Sequence, residues 1–276
     1  MQMTAYSHSL LLAAAMGLAT VGFSIDTVSA EPTPLRRGHS HNDYEHKRPL
    51  LDALDEGFCS IEADIYLVDG KLLVAHDLKD VKQERTLEAL YLEPLAERAR
   101  RNGGRVYPGG PSVTLLVDVK SEADTTYKAL DLVLGKYPKL LTRFTRQRVE
   151  TNAVTIVVSG NRAREAMAKQ AERFAALDGR LSDLDREALP SLIPLISDNW
   201  KGHFTWQGTG KLTAEEEAKL KNLVDRAHRR GCRIRFWGTP DQPDAWSMLL
   251  RAGVDLINTD NLPGLRKLLM ESKAVD

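Results

Sequence analysis

Short apolar segments that alternate with amphipathic helical patterns constrain the fold of this chain more than any other feature of its sequence. The chain has 276 residues, and eight of these segments have the length and composition of buried β-strands. Strands separated by helices run parallel, because a helical crossover returns the chain to the same edge of the sheet. Eight parallel strands can close on themselves, so the sequence predicts an α/β fold with a TIM (β/α)8 barrel.

The predicted strands are Leu35–His41, Cys59–Val68, Val113–Lys120, Val154–Ser159, Phe174–Leu177, Leu192–Ser197, Ile234–Trp237 and Leu256–Thr259. The predicted helices are Pro49–Gly57, Thr86–Arg101, Glu122–Gly135, Asn161–Arg173, Thr213–Gly231, Ala245–Gly253 and Pro263–Met270. Ser121 is expected to be the N-cap of the helix that begins at Glu122. The segment Lys71–His76 follows a tight turn at Asp69 and Gly70, so it is interpreted as an insertion and not as a barrel strand.

Composition and charge limit the classes of partner. The chain carries 38 basic and 38 acidic residues, and it is 42% hydrophobic and 28% charged, as is typical of a soluble globular protein. A balanced charge gives no reason to expect binding to nucleic acid or to an anionic membrane surface. The length fits a single barrel domain, which is expected to be a monomer with a small-molecule or lipid substrate.

The first thirty residues have the pattern of an export signal. Leu10–Val21 is an apolar run that is too short to span a bilayer comfortably but suits the core of a signal peptide. Small residues at 28–30 precede Glu31 and offer a cleavage site. The predicted division is a signal peptide over 1–30 and a barrel over 31–276, with the mature protein periplasmic or extracellular and without a membrane span. A signal peptide usually has basic residues before its apolar run, and here His8 alone stands in that position. An uncleaved membrane anchor is therefore the alternative.

The two cysteines are predicted to be free. Cys59 and Cys232 are the whole cysteine content, so the chain can form at most one disulfide. They begin predicted strands two and seven, which are not neighbours in an eight-stranded barrel. A disulfide needs Cα atoms within about 7 Å of each other, so two small buried thiols are the favoured interpretation.

A pair of carboxylates in the second predicted strand is the strongest indication of chemistry. Side chains in a strand alternate between its faces, so Glu62 and Asp64 lie on the same face. The strand is apolar enough to be buried, and two buried carboxylates are costly without a counter-charge. A divalent cation would remove that cost, and Mg²⁺ or Ca²⁺ prefers carboxylate oxygens. An ordinary ion pair or a solvated strand edge is the alternative for a single Glu-x-Asp pattern.

Other ionisable side chains follow at the ends of predicted strands. His39 and His41 end the first strand, and His76 ends the hairpin insertion after the second. Asp118 and Lys120 share a face near the carboxyl end of the third strand. In a TIM barrel the carboxyl ends of the strands build the active site, so these side chains are expected to converge there.

Three motifs carry a resemblance to a known superfamily. They are HSHNDY at His39–Tyr44, SIEAD at Ser60–Asp64 and RFWGTPD at Arg235–Asp241. The sequence resembles the glycerophosphodiester phosphodiesterase and phosphatidylinositol-phospholipase-C-like superfamily of TIM barrels. Within it, the chain is most similar to the branch of proteins like altered inheritance of mitochondria protein 6. The resemblance covers nearly all of the chain after residue 34, and it implies a PLC-like phosphodiesterase barrel.

The resemblance implies a role for each candidate site residue. The implied ligands of one Mg²⁺ or Ca²⁺ are Glu62, Asp64 and Asp118. The implied acid and base are His39 and His76, where the spacing from His39 to Asn42 favours His39 over His41. The implied substrate contacts are Asn42, Lys120, Trp237 and His41. An ion pair with one of the acids is the alternative role for Lys120.

We therefore expect a metal-dependent phosphodiesterase that uses histidine acid–base catalysis. Its substrate is expected to be a glycerophosphodiester or a phospholipid- or phosphoinositide-like diester, and a cyclic phosphate is one product that the resemblance allows. Two alternatives remain from the residues alone: a barrel glycosidase that uses paired carboxylates, and a ligand-binding barrel without turnover. The aromatic segment Trp200–Trp206 either contacts a lipid or sugar group or packs as core.

Overall fold

In the computed structural model, which describes residues 31–186 and 191–272, eight parallel strands form a nearly closed barrel. The strands are β1 (Leu35–Ser40), β2 (Phe58–Val68), β3 (Val113–Val119), β4 (Val154–Gly160), β5 (Ala175–Gly179), β6 (Leu195–Asn199), β7 (Arg233–Trp237) and β8 (Ile257–Thr259). Their order around the barrel is β7-β6-β5-β4-β3-β2-β1-β8. A single parallel bridge from Arg235 to Leu256 joins the two ends. The predicted (β/α)8 barrel is confirmed.

Eight α-helices connect the strands in the described ranges. They are α1 (Leu51–Asp55), α2 (Glu93–Arg101), α3 (Ala123–Leu134), α4 (Arg164–Lys169), α5 (Trp200–His203), α6 (Ala214–Arg229), α7 (Pro243–Arg251) and α8 (Leu262–Glu271). A π-helical turn over Glu88–Leu92 leads into α2, near the break that Pro94 predicts. The longest helix, α6, is capped by the Thr213 hydroxyl, which accepts a hydrogen bond from the Glu216 backbone N–H at 3.1 Å.

Two local predictions about helices were wrong. The N-cap of α3 is Glu122, whose carboxylate accepts hydrogen bonds from the backbone N–H groups of Asp124 and Thr125 at 3.0 and 2.8 Å. The Ser121 hydroxyl instead accepts from the Leu67 backbone N–H at 2.9 Å, so it ties the end of β2 to the β3–α3 connection. The helix predicted over 161–173 is limited to α4, because residues 172–173 pair with the strand Arg143–Thr145.

The hairpin insertion after β2 has the predicted form. The strand Lys71–Val74 pairs antiparallel with the end of β2, and Asp69 and Gly70 take positive φ values of 49° and 77° in the turn. The Ala75 backbone N–H then donates to the Asp64 carbonyl at 3.2 Å. Because Ala75 precedes His76, this hydrogen bond brings the histidine back beside Asp64 of β2.

The aromatic segment after β6 packs as core. The Trp200 and Phe204 rings stack with centroids 4.0 Å apart, and both meet Phe236 of β7 edge-on at 5.6 and 5.7 Å. Trp200 is fully buried, and Trp206 is 8% exposed. These rings therefore cover the barrel between β6 and β7, and the alternative of a lipid or sugar contact is not favoured.

Other sequence predictions can be compared with the described residues. Cys59 and Cys232 are both buried and free, as expected. Within those residues no helix combines the length and the apolar character that crossing a membrane requires. The predicted signal segment, 1–30, lies outside the described part of the chain.

Candidate active site

At the centre of the barrel, the strands β1, β2 and β7 bring a histidine, a carboxylate and a guanidinium together. His39 Nε2 lies 3.0 Å from Glu62 Oε2, and Arg235 NH1 donates to the same carboxylate oxygen at 3.0 Å. Arg235 NH1 is also in contact with His39 Nε2. The other ring nitrogen of His39 lies 2.7 Å from the hydroxyl of Ser60. Both nitrogens of the ring are therefore held in place.

Burial and charge keep this cluster in one protonation state. Burial and the neighbouring Arg235 charge lower the pKa of His39 to about 3. Burial opposes ionisation of Glu62, but the Arg235 charge and the His39 hydrogen bond outweigh it and hold the pKa of Glu62 below its ordinary range. At neutral pH, His39 is thus a neutral imidazole beside an ion pair of Glu62 and Arg235.

The second cluster is built around Asp64. Its Oδ2 lies 2.7 Å from the Tyr44 hydroxyl, 3.0 Å from Lys120 Nζ and 3.2 Å from His76 Nδ1. Asp118 is the register partner of Asp64 on β3, and its carboxylate accepts from the same Lys120 ammonium at 2.5 Å. Lys120 therefore bridges the two acids, as one of its two sequence interpretations predicts.

The surroundings of the Asp64 carboxylate disfavour its ionised form, in spite of its ion pair with Lys120. Burial and the Glu62 charge raise the pKa of Asp64 to about 6, although Lys120 opposes this shift. Its second oxygen, Oδ1, is buried and has no hydrogen-bond partner among the described residues. A buried acceptor without a partner is costly, so this oxygen is suited to an added cation or donor.

The donor set fits Mg²⁺ or Ca²⁺ in its chemistry. Glu62, Asp64 and Asp118 offer only oxygen atoms, and the unpartnered Oδ1 atom supplies a free coordination position. The carboxylates do not form a ready-made cage: within 31–186 and 191–272, no three His, Cys, Asp or Glu side chains are grouped closely enough to hold a metal ion. Lys120 occupies the space between Asp64 and Asp118 instead.

Tyr44 connects the first motif to the acids, and the sequence predictions missed it. Its hydroxyl lies 2.7 Å from the side-chain oxygen of Asn42 and 3.0 Å from His76 Nδ1, in addition to its contact with Asp64. Burial and the Asp64 charge raise the pKa of Tyr44 well above its ordinary value, so the hydroxyl keeps its proton. Its position in the HSHNDY motif was the available signal, but a tyrosine there is equally compatible with simple packing.

The remaining predicted contacts lie further out. His41 Nδ1 lies 2.9 Å from Asp260, and His41 is partly exposed where His39 is fully buried. Burial opposes the charged form, but Asp260 and Glu62 hold the pKa of His41 above its ordinary value. Trp237 is 36% exposed at the carboxyl end of β7 and makes no described polar contact with the two clusters.

Asn258 is a second polar residue that the sequence predictions missed. It is the register partner of His39 on β8, and both side-chain polar atoms are buried without a partner among the described residues. Asn in a short strand is uncommon, which was the only signal for it. Like Asp64 Oδ1, its amide leaves hydrogen-bonding capacity unused at the centre of the barrel.

A cavity of about 410 Å³ adjoins the Asp64 cluster. Tyr44 and His76 form part of its wall, which also carries charges of both signs, from Lys79, Lys82 and Arg85 and from Glu45 and Asp80. The Arg85 guanidinium donates to the Tyr44 carbonyl at 2.7 Å, which fixes it against the first motif. The cavity therefore offers space and charged groups of both signs beside His76.

Two solved structures share this fold. A glycerophosphodiester phosphodiesterase from Parabacteroides distasonis superposes with a TM-score of 0.51 at 15% identity, covering 88% of this chain and 99% of its own. One from Agrobacterium tumefaciens gives a TM-score of 0.51 at 16% identity, covering 85% and 99%. At these identities the likeness concerns the fold: the chain is a TIM barrel of the kind that these phosphodiesterases have.

The sequence comparisons define the family. Residues 27–178, more than half of the chain, match the AIM6-like phosphodiesterase domain, and 233–263 match the glycerophosphoryl diester phosphodiesterase family. Altered inheritance of mitochondria protein 6 of Eremothecium gossypii is 31% identical over 84% of this chain and 69% of its own length. A homolog in Arthroderma benhamiae is 27% identical over 84% and 85%. The chain belongs to the AIM6-like phosphodiesterase domain family, and the resemblance seen in the motifs is confirmed.

Proposed function

We propose that this protein is a phosphodiesterase that depends on a divalent cation held by Glu62, Asp64 and Asp118. The observation that carries the proposal is the buried, unpartnered Oδ1 atom of Asp64 beside Lys120 and His76, in a chain of a phosphodiesterase-domain family. Mg²⁺ or Ca²⁺ bound there would stabilise the negative charge that develops on a non-bridging phosphate oxygen.

Lys120 and two histidines would supply the remaining chemistry. The Lys120 ammonium, now shared between Asp64 and Asp118, is a point charge suited to a phosphate oxygen. His76 is half-exposed at the cavity, and its Nδ1 is held by Tyr44 and Asp64, so its Nε2 atom can donate a proton to the leaving oxygen.

His39 is the proposed general base. Its ring is neutral at physiological pH and can accept a proton from the attacking hydroxyl, which belongs either to the substrate or to water. Its Nε2 atom now contacts Arg235, so a substrate reaches it only by displacing that guanidinium. A guanidinium displaced in this way would pair with the phosphate, since the fork of Arg suits phosphate oxygens.

The substrate class follows from the surroundings of the site. The 410 Å³ cavity, whose wall carries charged side chains of both signs, suits a polar group on one side of the phosphate. A glycerophosphodiester or a phospholipid- or phosphoinositide-like diester meets this description. The proposed substrate contacts are Asn42, Lys120, Trp237 and His41. We also propose that the mature protein is exported and acts as a monomer.

A glycosidase is less compatible with this geometry. Glycosidase carboxylates flank the scissile bond at separations of roughly 5–9.5 Å and act as acid and base or nucleophile. Glu62 is instead engaged by Arg235 and His39, and Asp64 follows it two residues later on the same strand. Two acids on one face of the same strand are better suited to sharing a ligand than to flanking a sugar bond.

An assay with an aryl phosphodiester and an aryl glycoside tests the proposal. We expect hydrolysis of the diester with Mg²⁺ or Ca²⁺, loss of activity with a chelator, recovery when the metal is returned, and no glycoside hydrolysis. Asp64→Asn should lose roughly 10²-fold or more, because it removes the charge that holds the cation. Asp124→Asn changes an exposed acid of α3 and is the matched control. Activity that persists in chelator, or inactivity towards a panel of phosphodiesters, contradicts the proposal.

A further inference from the structure

A second cavity lies at the opposite end of the barrel from the candidate active site. It has a volume of about 520 Å³ and is larger than the one beside His76. Its wall includes Arg36 and Arg37 at the start of β1 and Arg233 at the start of β7. Parallel strands place these starts together at the amino end of the barrel, whereas the proposed catalytic residues lie towards the carboxyl ends.

Cationic side chains predominate among the described residues that line this cavity. Three guanidinium groups line it, whereas Asp255 is its only acidic residue among those the structure describes. That carboxylate already accepts from the Ile234 backbone N–H and lies 2.8 Å from His228 Nε2. Burial lowers the pKa of Arg233, and the charges of Arg36 and Arg37 lower it further, although Asp255 opposes them.

The guanidinium groups of Arg37 and Arg233 also retain unused donors. The described hydrogen bond of Arg37 goes to the Val254 carbonyl at 2.6 Å, and that of Arg233 goes to the Arg36 carbonyl at 2.9 Å. Each guanidinium has five N–H groups, so most donors of Arg37 and Arg233 have no partner among the described residues. Backbone carbonyls fix the two side chains in position without neutralising their charge.

We propose that this basal cavity binds a small phosphorylated molecule. The unused donors of Arg37 and Arg233 call for an anionic ligand, and guanidinium forks match the oxygens of a phosphate group bidentately. A volume of about 520 Å³ is in the range of small-molecule sites and can hold a phosphate monoester with its organic part. The ligand would not take part in the reaction, because the cavity contains none of the proposed catalytic residues.

Calorimetric titration of the full chain with pyrophosphate tests the proposal. Removing one charge-assisted partner should weaken binding about tenfold or more, so Arg37→Gln and Arg233→Gln should each show this loss. Arg229→Gln is the matched control: it removes the same charge from an exposed position beside His228 and should stay within about twofold of wild type. His76→Asn should also bind pyrophosphate normally, which separates this cavity from the candidate active site.

A variant with the opposite effect covers the case in which an arginine variant fails to fold. Asp255→Asn removes a negative charge from the wall of the cavity, so pyrophosphate should bind several-fold more tightly. Circular dichroism reports whether each variant is folded. The proposal is overturned if wild type does not bind pyrophosphate at millimolar concentration, if Asp255→Asn leaves the affinity unchanged, if only His76→Asn loses binding, or if the chain binds anionic vesicles but not pyrophosphate.

Discussion

The two histidines at the end of β1 differ in what surrounds them. The side chain of His39 is fully buried, and Glu62, Ser60 and Arg235 engage it. His41 lies two residues further along and is about one-third exposed, with Asp260 as its partner. Strand alternation puts both on one face and cannot distinguish them, but depth along the strand does. His39 is next to the acids that are proposed to hold the cation.

Substitution of each histidine should therefore show how much it contributes to turnover. His39→Asn and His76→Asn should each lower turnover of an aryl phosphodiester by roughly 10²-fold or more, the typical contribution of an acid or base. His41→Asn should lose distinctly less, about tenfold, because His41 is proposed to contact the substrate without transferring the proton. Steady-state kinetics of the three variants measures the ranking. A larger loss for His41→Asn than for His39→Asn would show that the base is wrongly assigned.

Strand periodicity predicted some residues of the candidate site but not the contacts between segments that are distant in sequence. Glu62, Asp64, Asp118 and Lys120 could be placed together from strand periodicity, because each stands near the carboxyl end of a recognisable strand. Periodicity could not show that Tyr44 reaches Asp64. That contact depends on how the segment after β1 folds back across twenty residues of sequence.

At the scale of secondary-structure elements, an ion pair joins two loops at the carboxyl end of the barrel. Arg164 at the start of α4 donates to both carboxylate oxygens of Asp183, at 3.1 and 2.6 Å. Asp183 lies in a 3₁₀ turn after β5 and also accepts from the Arg180 backbone N–H at 2.9 Å. Burial opposes ionisation, but Arg164 and that N–H outweigh it and lower the pKa of Asp183.

Removing this pair should cost stability in a pH-dependent way. A carboxylate with a lowered pKa stabilises the fold above the unfolded value of 3.8, and this contribution is lost as pH falls through the native pKa. Arg164→Met should lower the free energy of unfolding by about 1 kcal/mol at pH 7, between the values for exposed and buried pairs. Urea unfolding from pH 7 to pH 2 measures it; a difference from wild type that grows on acidification would contradict this origin.

Strands and helices could be predicted where the pattern of neighbouring residues alone determines them. Barrel strands such as β3 and β4 are continuous apolar runs, and their bounds differ from the predictions by about one residue. The predicted helix over 161–173 was too long because residues 172–173 pair with Arg143–Thr145, a partner almost thirty residues away. Ser121 was taken for a helix cap because its hydroxyl was equally suited to that role, but β2 uses it instead.

At the scale of the whole molecule, a formal net charge of zero conceals two ends of different character. The carboxyl ends of β2 and β3 carry the acids around Lys120, whereas the starts of β1 and β7 carry the arginines of the basal cavity. Net charge gave no reason to expect a polyanionic partner, and it could not reveal either group of charges. Only the barrel topology separates these groups to opposite ends.

The first thirty residues give a separate prediction for the whole chain. The apolar Leu10–Val21 run and the small residues before Glu31 predict export and cleavage. We expect the native protein to begin near Glu31 and to lie outside the cytoplasm, which intact-mass spectrometry of fractionated cells measures. A soluble cytoplasmic protein that retains residue 1 would contradict the prediction, and a membrane-bound protein of full length would indicate an uncleaved anchor.

Titration calorimetry with Mg²⁺ and Ca²⁺ tests the central claim of a cation held by the β2 and β3 acids. Wild type should bind one ion, and Glu62→Gln and Asp64→Asn should abolish binding because each removes a carboxylate charge. His39→Asn should retain the affinity, and Asp124→Asn serves as the surface control. Loss of binding in the two acid variants with retention in the other two is the predicted result. Unchanged affinity in both acid variants, or no binding by wild type, would contradict the claim.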